Sequence, residues 1–273
     1  MDALDRNRGL TPLLRAVTFV EVVVLFGAGF GLFFLPDLAR ELWPWPPAPF
    51  NTRFLGSIYL TALLPVAVML IAGRWAPARG VLPAIFIFTT IVLFVSVFNF
   101  DLLDFQRWST YVWFVLYIIL PINSAYHMGL YRRWPPADPI PTPPAWRAYL
   151  LGVSLVLGLY SMALLIAPET FTGFWPWKID AFHGRMYSAV FASGAVGAWA
   201  AARVAARIEF FTAGLTQAVF GFFSILGLVL VDATVHRVDW SAPGTWVWVG
   251  AFAVMLVAGV GMILRARVMR GAA

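Results

Sequence analysis

Trp43-Pro44-Trp45 recurs 132 residues later in the chain, as Trp175-Pro176-Trp177. The same shift carries other residues onto identical ones: Pro36 onto Pro168, Phe50 onto Phe182, Arg53 onto Arg185, and Trp108-Ser109 onto Trp240-Ser241. One offset that holds over more than seventy residues indicates a duplicated unit.

The composition is that of a membrane protein. The chain has 273 residues, of which 61% are hydrophobic and 12% are charged. A soluble domain is about 45–50% apolar and about 25% charged. The 13 Trp residues fit a membrane protein, because Trp collects at the membrane–water boundary. The chain contains no Cys, which excludes disulfides, thiolate catalysis and Cys-ligated metals.

Eight mostly apolar stretches are long enough to cross a bilayer, which takes about 20 residues. They are residues 14–36, 53–73, 80–100, 108–130, 147–167, 184–205, 210–231 and 244–265. A Pro-rich linker at 132–146 separates a first unit at 1–131 from a second at 147–273. We therefore expect an all-α transmembrane protein whose eight helices form two four-helix repeats. Because four is even, the two repeats have the same topology and run parallel.

The basic residues predict the orientation. Thirteen of the 19 fall in segments that share a side with both termini, and six fall on the other side. The positive-inside rule then places both termini in the cytoplasm. The same scatter over short loops accounts for the net charge of +6 without nucleic acid as a partner.

Each repeat carries the same outer motif: Pro, an acid, Trp-Pro-Trp, Phe, a polar residue and, two positions on, Arg. Its Trp residues are expected at the level of the lipid headgroups. Its arginines, Arg53 and Arg185, open a helix, and a helix N-terminus is an unfavourable place for a cation. Ion pairs with Asp101 and Asp232 are therefore predicted. The alternative is that the guanidinium groups hold a lipid phosphate or an acidic ligand.

The Trp-Pro-Trp run followed by an Arg at a helix start resembles outer loops of uncharacterised bacterial multi-pass inner-membrane proteins. The resemblance covers the two outer loops, about a sixth of the chain. It implies a bacterial inner-membrane protein, and it implies no activity.

The repeats differ on the outer side, where the second repeat has His183 in place of Asn51 and His236 in place of Asp104. Together with Asp232, these histidines are candidate ligands for a divalent metal. The alternative is that they are ordinary solvated loop residues.

The repeats also differ inside the first span, where Glu21 has Val153 as its counterpart. A carboxylate within a span costs about 2.5–3.5 kcal/mol on insertion scales and is by default a functional hypothesis. Glu21 is placed about 9 Å from the cytoplasmic end of the span, with Asn123 and His127 of the fourth span at comparable depth. These three residues are the predicted ligand or ion site, and a structural hydrogen bond between Glu21 and Asn123 is the alternative.

Small residues on the first and sixth spans are expected to mark contacts between helices, since helices in lipid associate by close packing. They include Gly27, Gly29 and Gly31 on the first span and Ser193, Gly194, Gly197 and Ala201 on the sixth.

None of the catalytic or nucleotide-binding motifs that we considered is present, and no cofactor is predicted. The sequence favours a non-enzymatic protein: a small-solute or ion carrier, or a scaffolding or lipid-binding subunit of a membrane complex. The alternative is an outer-face enzyme for lipid headgroups, with Arg53 and Arg185 on phosphate and His183 or His236 as acid and base. Expected partners are the bilayer and either another membrane protein or a second copy of the chain.

Overall fold

The structure, a computed structural model, describes residues 7–134 and 140–269, and these residues are helical almost throughout. The helices, in chain order, are α1 Pro12–Phe34, α2 Pro36–Leu42, α3 Pro49–Ala72, α4 Trp75–Phe98, α5 Trp108–Tyr131, α6 Pro144–Ile166, α7 Pro168–Phe171, α8 Ala181–Arg203, α9 Arg207–Val235 and α10 Pro243–Val268. A 3-10 turn spans Phe100–Leu102, and two short strands, β1 Ile140–Pro141 and β2 Val204–Ala205, pair antiparallel.

Seven of the long helices, namely α1, α3, α4, α5, α6, α9 and α10, are long and apolar enough to cross a membrane. They have 23–29 residues, or about 35–43 Å at 1.5 Å per residue, against a hydrocarbon core of about 30 Å. Helix α8 also has 23 residues but does not meet the same hydropathy criterion, because Ala, Gly and polar residues are frequent in it. The chain is therefore an all-helical, multi-pass membrane protein, and the eighth span stays a prediction.

Prolines begin many of these helices, because proline suits the first helical position, where no amide hydrogen bond is needed. The prolines at helix starts are Pro12, Pro36, Pro49, Pro144, Pro168 and Pro243. Several helices begin earlier than the spans predicted from the sequence. The second span was expected to begin at residue 53, whereas α3 begins at Pro49.

Helix starts follow the 132-residue shift. The starts of α1 and α6 (Pro12, Pro144), of α2 and α7 (Pro36, Pro168), of α3 and α8 (Pro49, Ala181) and of α4 and α9 (Trp75, Arg207) are related in this way. Alternate long helices run in opposite directions. We call the side where α1 begins and α10 ends the terminal side, and the side of the two Trp-Pro-Trp segments the motif side.

The two parts of the chain interleave in one bundle. Helix α1 packs on α3, α4 on α5, α6 on α8, and α9 on α10. The helix pairs also pack on one another, because α3 contacts α9 and α4 contacts α8 extensively. Both of these contacts connect the first part of the chain to the second. The division into units 1–131 and 147–273 stays a prediction, and residues 135–139 of the predicted linker lie outside the described residues.

Glycines set the closest helix crossings. A Cβ atom on Gly56 of α3 would lie 2.7 Å from the backbone nitrogen of Phe33, and one on Gly29 of α1 would lie 2.9 Å from that of Leu60. Between α9 and α10, a Cβ atom on Gly221 or on Gly259 would come at least as close to the backbone of the other helix. The backbones are therefore in contact at these crossings, as expected for helices that associate in lipid.

Candidate functional site

A cavity of about 340 Å³ lies between the helices of the bundle and is partly open, since Trp108 and Val112 of its lining are exposed. Its walls come from α1, α3, α4, α5, α8 and α9, with one residue each from α6 and α10, and they are mostly apolar. It extends from Trp43 on the motif side to Arg79 and Glu209 on the terminal side. Its size is within the range of about 300–1,000 Å³ typical of small-molecule sites.

Glu21 lines this cavity from α1 and is only 8% exposed. It is the tenth residue of α1, about 14 Å along the helix axis and thus deeper than the predicted 9 Å. The difference arises because α1 begins at Pro12. No described group forms a hydrogen bond with its carboxyl, and the buried hydroxyl of Thr18, one turn earlier, also has no partner. Unlike the Thr18 hydroxyl, the Glu21 oxygens are not fully buried, so they reach the open space of the cavity.

The predicted partners of Glu21 do not bind it: His127 bonds to other groups, and Oδ1 of Asn123 is buried without a partner among the described residues. His127 is fully buried, with Nε2 2.8 Å from the hydroxyl of Thr11 and Nδ1 2.9 Å from the backbone oxygen of Asn123. The expected pairing of Glu21 with His127 or Asn123 is therefore not formed. His127 is four residues from the end of α5 at Tyr131, so it lies level with the start of α1, about 14 Å from the depth of Glu21.

Two tyrosines provide further polar groups near mid-depth. The hydroxyls of Tyr59 on α3 and Tyr117 on α5 lie 2.8 Å apart, and both residues line the cavity. Trp113, one turn before Tyr117, donates its indole N–H to the Ser96 hydroxyl over 2.9 Å. One hydroxyl of the tyrosine pair donates to the other, and the second phenol keeps a proton that it can donate into the cavity.

An ion pair closes the terminal side of the cavity. Arg79 of α4 donates from Nε and Nη2 to the two carboxylate oxygens of Glu209 on α9, each over 2.7 Å. The carboxylate also accepts the N–H of Ala206 and so caps α9. Sequence reasoning missed this pair, because Arg79 was counted as a loop charge. The available signal was an acid three residues after the helix cap.

The small residues on one face of α8 line the cavity. Ser193, Gly194 and Gly197 all line it, and a Cβ atom on Gly197 would meet nothing within 4 Å. The expectation of helix packing is thus wrong for Gly197, although Gly194 does approach Leu157 of α6. Small residues here leave space between helices, where larger side chains would fill it.

The Trp-Pro-Trp motif joins the two parts of the chain. Trp45 donates its indole N–H to Nε2 of His183 over 3.0 Å, and Trp177 donates to Oδ1 of Asn51 over 2.9 Å. The two bonds are equivalent under the 132-residue shift. Trp45 is 4% exposed and so packs inside the protein, and its expected depth at the level of the headgroups stays a prediction. We call these two hydrogen bonds the tryptophan clasps.

The clasp on His183 determines its tautomer. Because Nε2 accepts from Trp45, the ring proton must be on Nδ1, which donates to Oδ2 of Asp180 over 2.7 Å. Burial raises the pKa of Asp180, but the hydrogen bonds that it accepts from the ring and the backbone N–H of His183 lower it by more, so the net shift of this pKa is downward. His183 is therefore held between a tryptophan and an acid.

The other candidate metal ligands do not join His183. His236 is exposed and ends α9 in a left-handed conformation, with φ of 50°. Asp232 accepts the backbone N–H groups of Arg237 and Val238 and the indole N–H of Trp240. Across residues 7–134 and 140–269, no three His, Asp or Glu side chains converge as metal ligands would.

Arg53 and Arg185 bind main-chain carbonyls. Arg53 donates from Nη1 to the oxygen of Phe33, and Arg185 donates from Nε to that of Leu165 over 3.4 Å. These oxygens are at the C-terminal ends of α1 and α6, where the helix dipole favours a cation.

The predicted pairs Arg53–Asp101 and Arg185–Asp232 are not among the ion pairs of the described residues. Asp101 is exposed in the 3-10 turn. The pairs were predicted because each arginine lies at the N-terminus of a helix, where a cation is unfavourable. The C-terminus of the preceding helix lies beside each arginine, and its carbonyl oxygens accept the hydrogen bonds instead.

No protein-family model, no curated protein and no solved structure matches the chain. Its fold therefore defines only a class, the all-helical multi-pass membrane proteins. Within that class, its distinguishing feature is a central cavity with one buried acid that has no hydrogen-bond partner among the described residues.

Proposed function

We propose that the protein is a small-solute carrier that holds its solute in the central cavity, with Glu21 as the binding group. One observation carries this proposal: Glu21 is a buried residue of the cavity lining, and its carboxyl forms no hydrogen bond with any residue that the structure describes. Acids inside membrane spans are costly, and they generally mark ion or substrate pathways. A solute that pairs with the carboxyl would offset that cost.

The arrangement of the helices supports the same function. We infer that the chain is a duplicated four-helix unit with eight spans, because the sequence matches and the helix starts share one shift. Carriers built from repeats bind their substrates near mid-membrane, between the repeats. Here both parts of the chain contribute to the cavity walls.

We propose the bacterial inner membrane as the location, with both termini in the cytoplasm. The support is the excess of basic residues on the terminal side. Arg53, Arg185 and His183 all form contacts within the protein, so the hypothesis of a headgroup enzyme gains no support from them.

The natural absence of Cys allows a direct test. Single variants Ala84→Cys and Ser193→Cys each place a thiol in the cavity lining, on α4 and on α8. A membrane-impermeant methanethiosulfonate is added to one side or the other of reconstituted vesicles. A carrier opens to each side in turn, so both thiols are expected to react from either side.

Val257→Cys is the matched control, because Val257 is 72% exposed on α10 and faces lipid. A thiol in hydrocarbon does not ionise, so it is expected to stay unlabelled. If the cavity thiols react no faster than the control, the carrier proposal is wrong. Labelling from one side alone would reduce the proposal to a binding pocket.

A further inference from the structure

The cavity walls are rich in aromatic rings. The aromatic residues that line it are Trp43, Tyr59, Phe88, Trp108, Trp113, Tyr117, Phe191 and Phe220. Tryptophan, tyrosine and phenylalanine rings attract a cation that lies over their faces. Such walls suit a compact apolar molecule, and they favour a positively charged one.

The charges of the lining point the same way. Arg79 and Glu209 line the terminal side and neutralise each other in their ion pair. Glu21 is the remaining carboxyl of the described lining, and no described cation pairs with it. When Glu21 is ionised, the lining therefore carries one net negative charge.

The alternatives to an organic cation are less compatible with this chemistry. A Ca²⁺ ion takes six to eight oxygen ligands, and a Mg²⁺ ion demands octahedral geometry. The described residues present no group of acidic or histidine ligands for either ion. An organic monocation can pair with the ionised form of Glu21, and neither an organic anion nor an uncharged solute can do so.

We infer that the solute is an organic monocation and that it enters in exchange for the proton of Glu21. This inference rests on the proposed carrier function. In the empty cavity the carboxyl of Glu21 holds its proton. When the cation binds, the O–H bond breaks, the proton goes to water and the carboxylate pairs with the cation. The cavity has no net charge in either state, and one proton leaves for each cation that binds.

The other ionisable groups of the described cavity lining are already paired with one another. They are Tyr59 on α3, Tyr117 on α5, Arg79 on α4 and Glu209 on α9. The two phenols are hydrogen-bonded to each other, and the arginine and glutamate form an ion pair. His127 of α5 is bonded to Thr11 and Asn123 and does not line the cavity. Glu21 is therefore the group that changes its charge.

The test is isothermal titration calorimetry of the purified full chain with benzyltrimethylammonium, at one pH in two buffers of different ionisation enthalpy. We expect saturable binding of one cation with release of one proton. The affinity should rise with pH, because protons compete for Glu21. Neopentylbenzene, the uncharged isostere of the probe, should not compete.

Variants locate the effect. Glu21→Gln preserves the shape of the side chain and should weaken binding about 100-fold, since a buried charge pair is lost. Glu41→Gln, which neutralises an exposed acid on α2, should leave binding unchanged. If Glu21→Gln fails to fold, proton release by the natural protein decides the question without a variant.

Three results would overturn the inference: no binding of the cation, binding without proton release, or equal binding by Glu21→Gln. The cysteine labelling separates them from failure of the carrier proposal. Labelled cavity thiols with no cation binding would leave a carrier of a different solute. Cation binding with unlabelled thiols would leave a ligand site in a protein that does not transport.

Discussion

The two parts of the chain related by the 132-residue shift are alike in their helix ends and unlike in their cavity side chains. In both, a tryptophan donates across to the other part, and an arginine caps the preceding helix. The ionisable residues Glu21, Tyr59, Arg79 and Glu209 of the cavity have the apolar counterparts Val153, Phe191, Phe211 and Pro77, whereas the polar lining residues Thr61 and Ser193 correspond to each other. A repeated scaffold thus holds a site that is made once.

The parts also differ where their first two long helices cross. In the first part, α1 and α3 cross on Gly29 and Gly56. The counterparts in the second part are Ser161 and Ser188, and the Ser161 hydroxyl donates to the Ser188 backbone oxygen over 2.9 Å. One crossing therefore relies on backbone contact, and the other has a hydrogen bond in addition.

The largest effect on stability is expected at the ion pair between Arg79 and Glu209, whose two residues have apolar counterparts in the other part of the chain. Arg79→Met leaves Glu209 buried without its cation, and should lower the free energy of unfolding by about 3 kcal/mol. Equilibrium unfolding in mixed micelles measures this loss. Adding Glu209→Gln, which keeps an acceptor for the cap of α9, should recover part of it. A double variant no more stable than Arg79→Met would contradict a role in charge compensation.

The next effect distinguishes the two helix crossings. Gly56→Ser places at position 56 the residue type of its counterpart, Ser188. The Cβ atom of the new serine would meet the backbone of Phe33. We expect a loss of about 2 kcal/mol from overpacking. The reverse change, Ser188→Gly, removes a side chain without a clash and should cost about 1 kcal/mol. Equal losses in the same unfolding assay would mean that the crossings are equally close.

The tryptophan clasps are expected to have smaller effects. Trp45→Phe and Trp177→Phe each leave a buried acceptor without its donor, at a cost of about 1–2 kcal/mol. Trp45 is 4% exposed, whereas Trp177 is only partly buried, so Trp45→Phe should cost more. His183→Asn converts one acceptor into the other and serves as the mild control. If Trp177→Phe proved the more damaging, the clasps would not be ranked by burial.

The smallest effect is a pH dependence of the stability, which is expected only for the clasp between Trp45 and His183. The lowered pKa of Asp180 means that its contact with His183 stabilises the fold at pH values above the unfolded pKa of about 3.9. That stabilisation is lost as the pH falls below this value. Asp180→Asn should cost about 0.5 kcal/mol at pH 6, because the acid is half exposed, and progressively less as the pH falls through the lowered pKa of the folded protein. A difference that did not change with pH would point to altered capping of α8.

Much of the fold could be predicted because helix ends are local features. Pro12 and Pro49 begin helices through their own geometry, and the apolar lengths alone indicate membrane spans. Glu21 was singled out by its charge within such a span. The partners were not predictable: His127 contacts Thr11 and Arg53 contacts Phe33, and these contacts depend on which helices are adjacent.

The sequence by itself determined the membrane setting, the shift between the two parts and the buried position of Glu21. The tertiary structure decided that α3 packs on α9 and α4 on α8, and with these contacts the tryptophan clasps, the Arg79–Glu209 pair and the cavity. The physical reason is the solvent. In water, an apolar helix face must be buried, but in a bilayer lipid covers it equally well. The pattern of apolar residues therefore cannot identify the neighbour of a helix, and only close packing in three dimensions selects it.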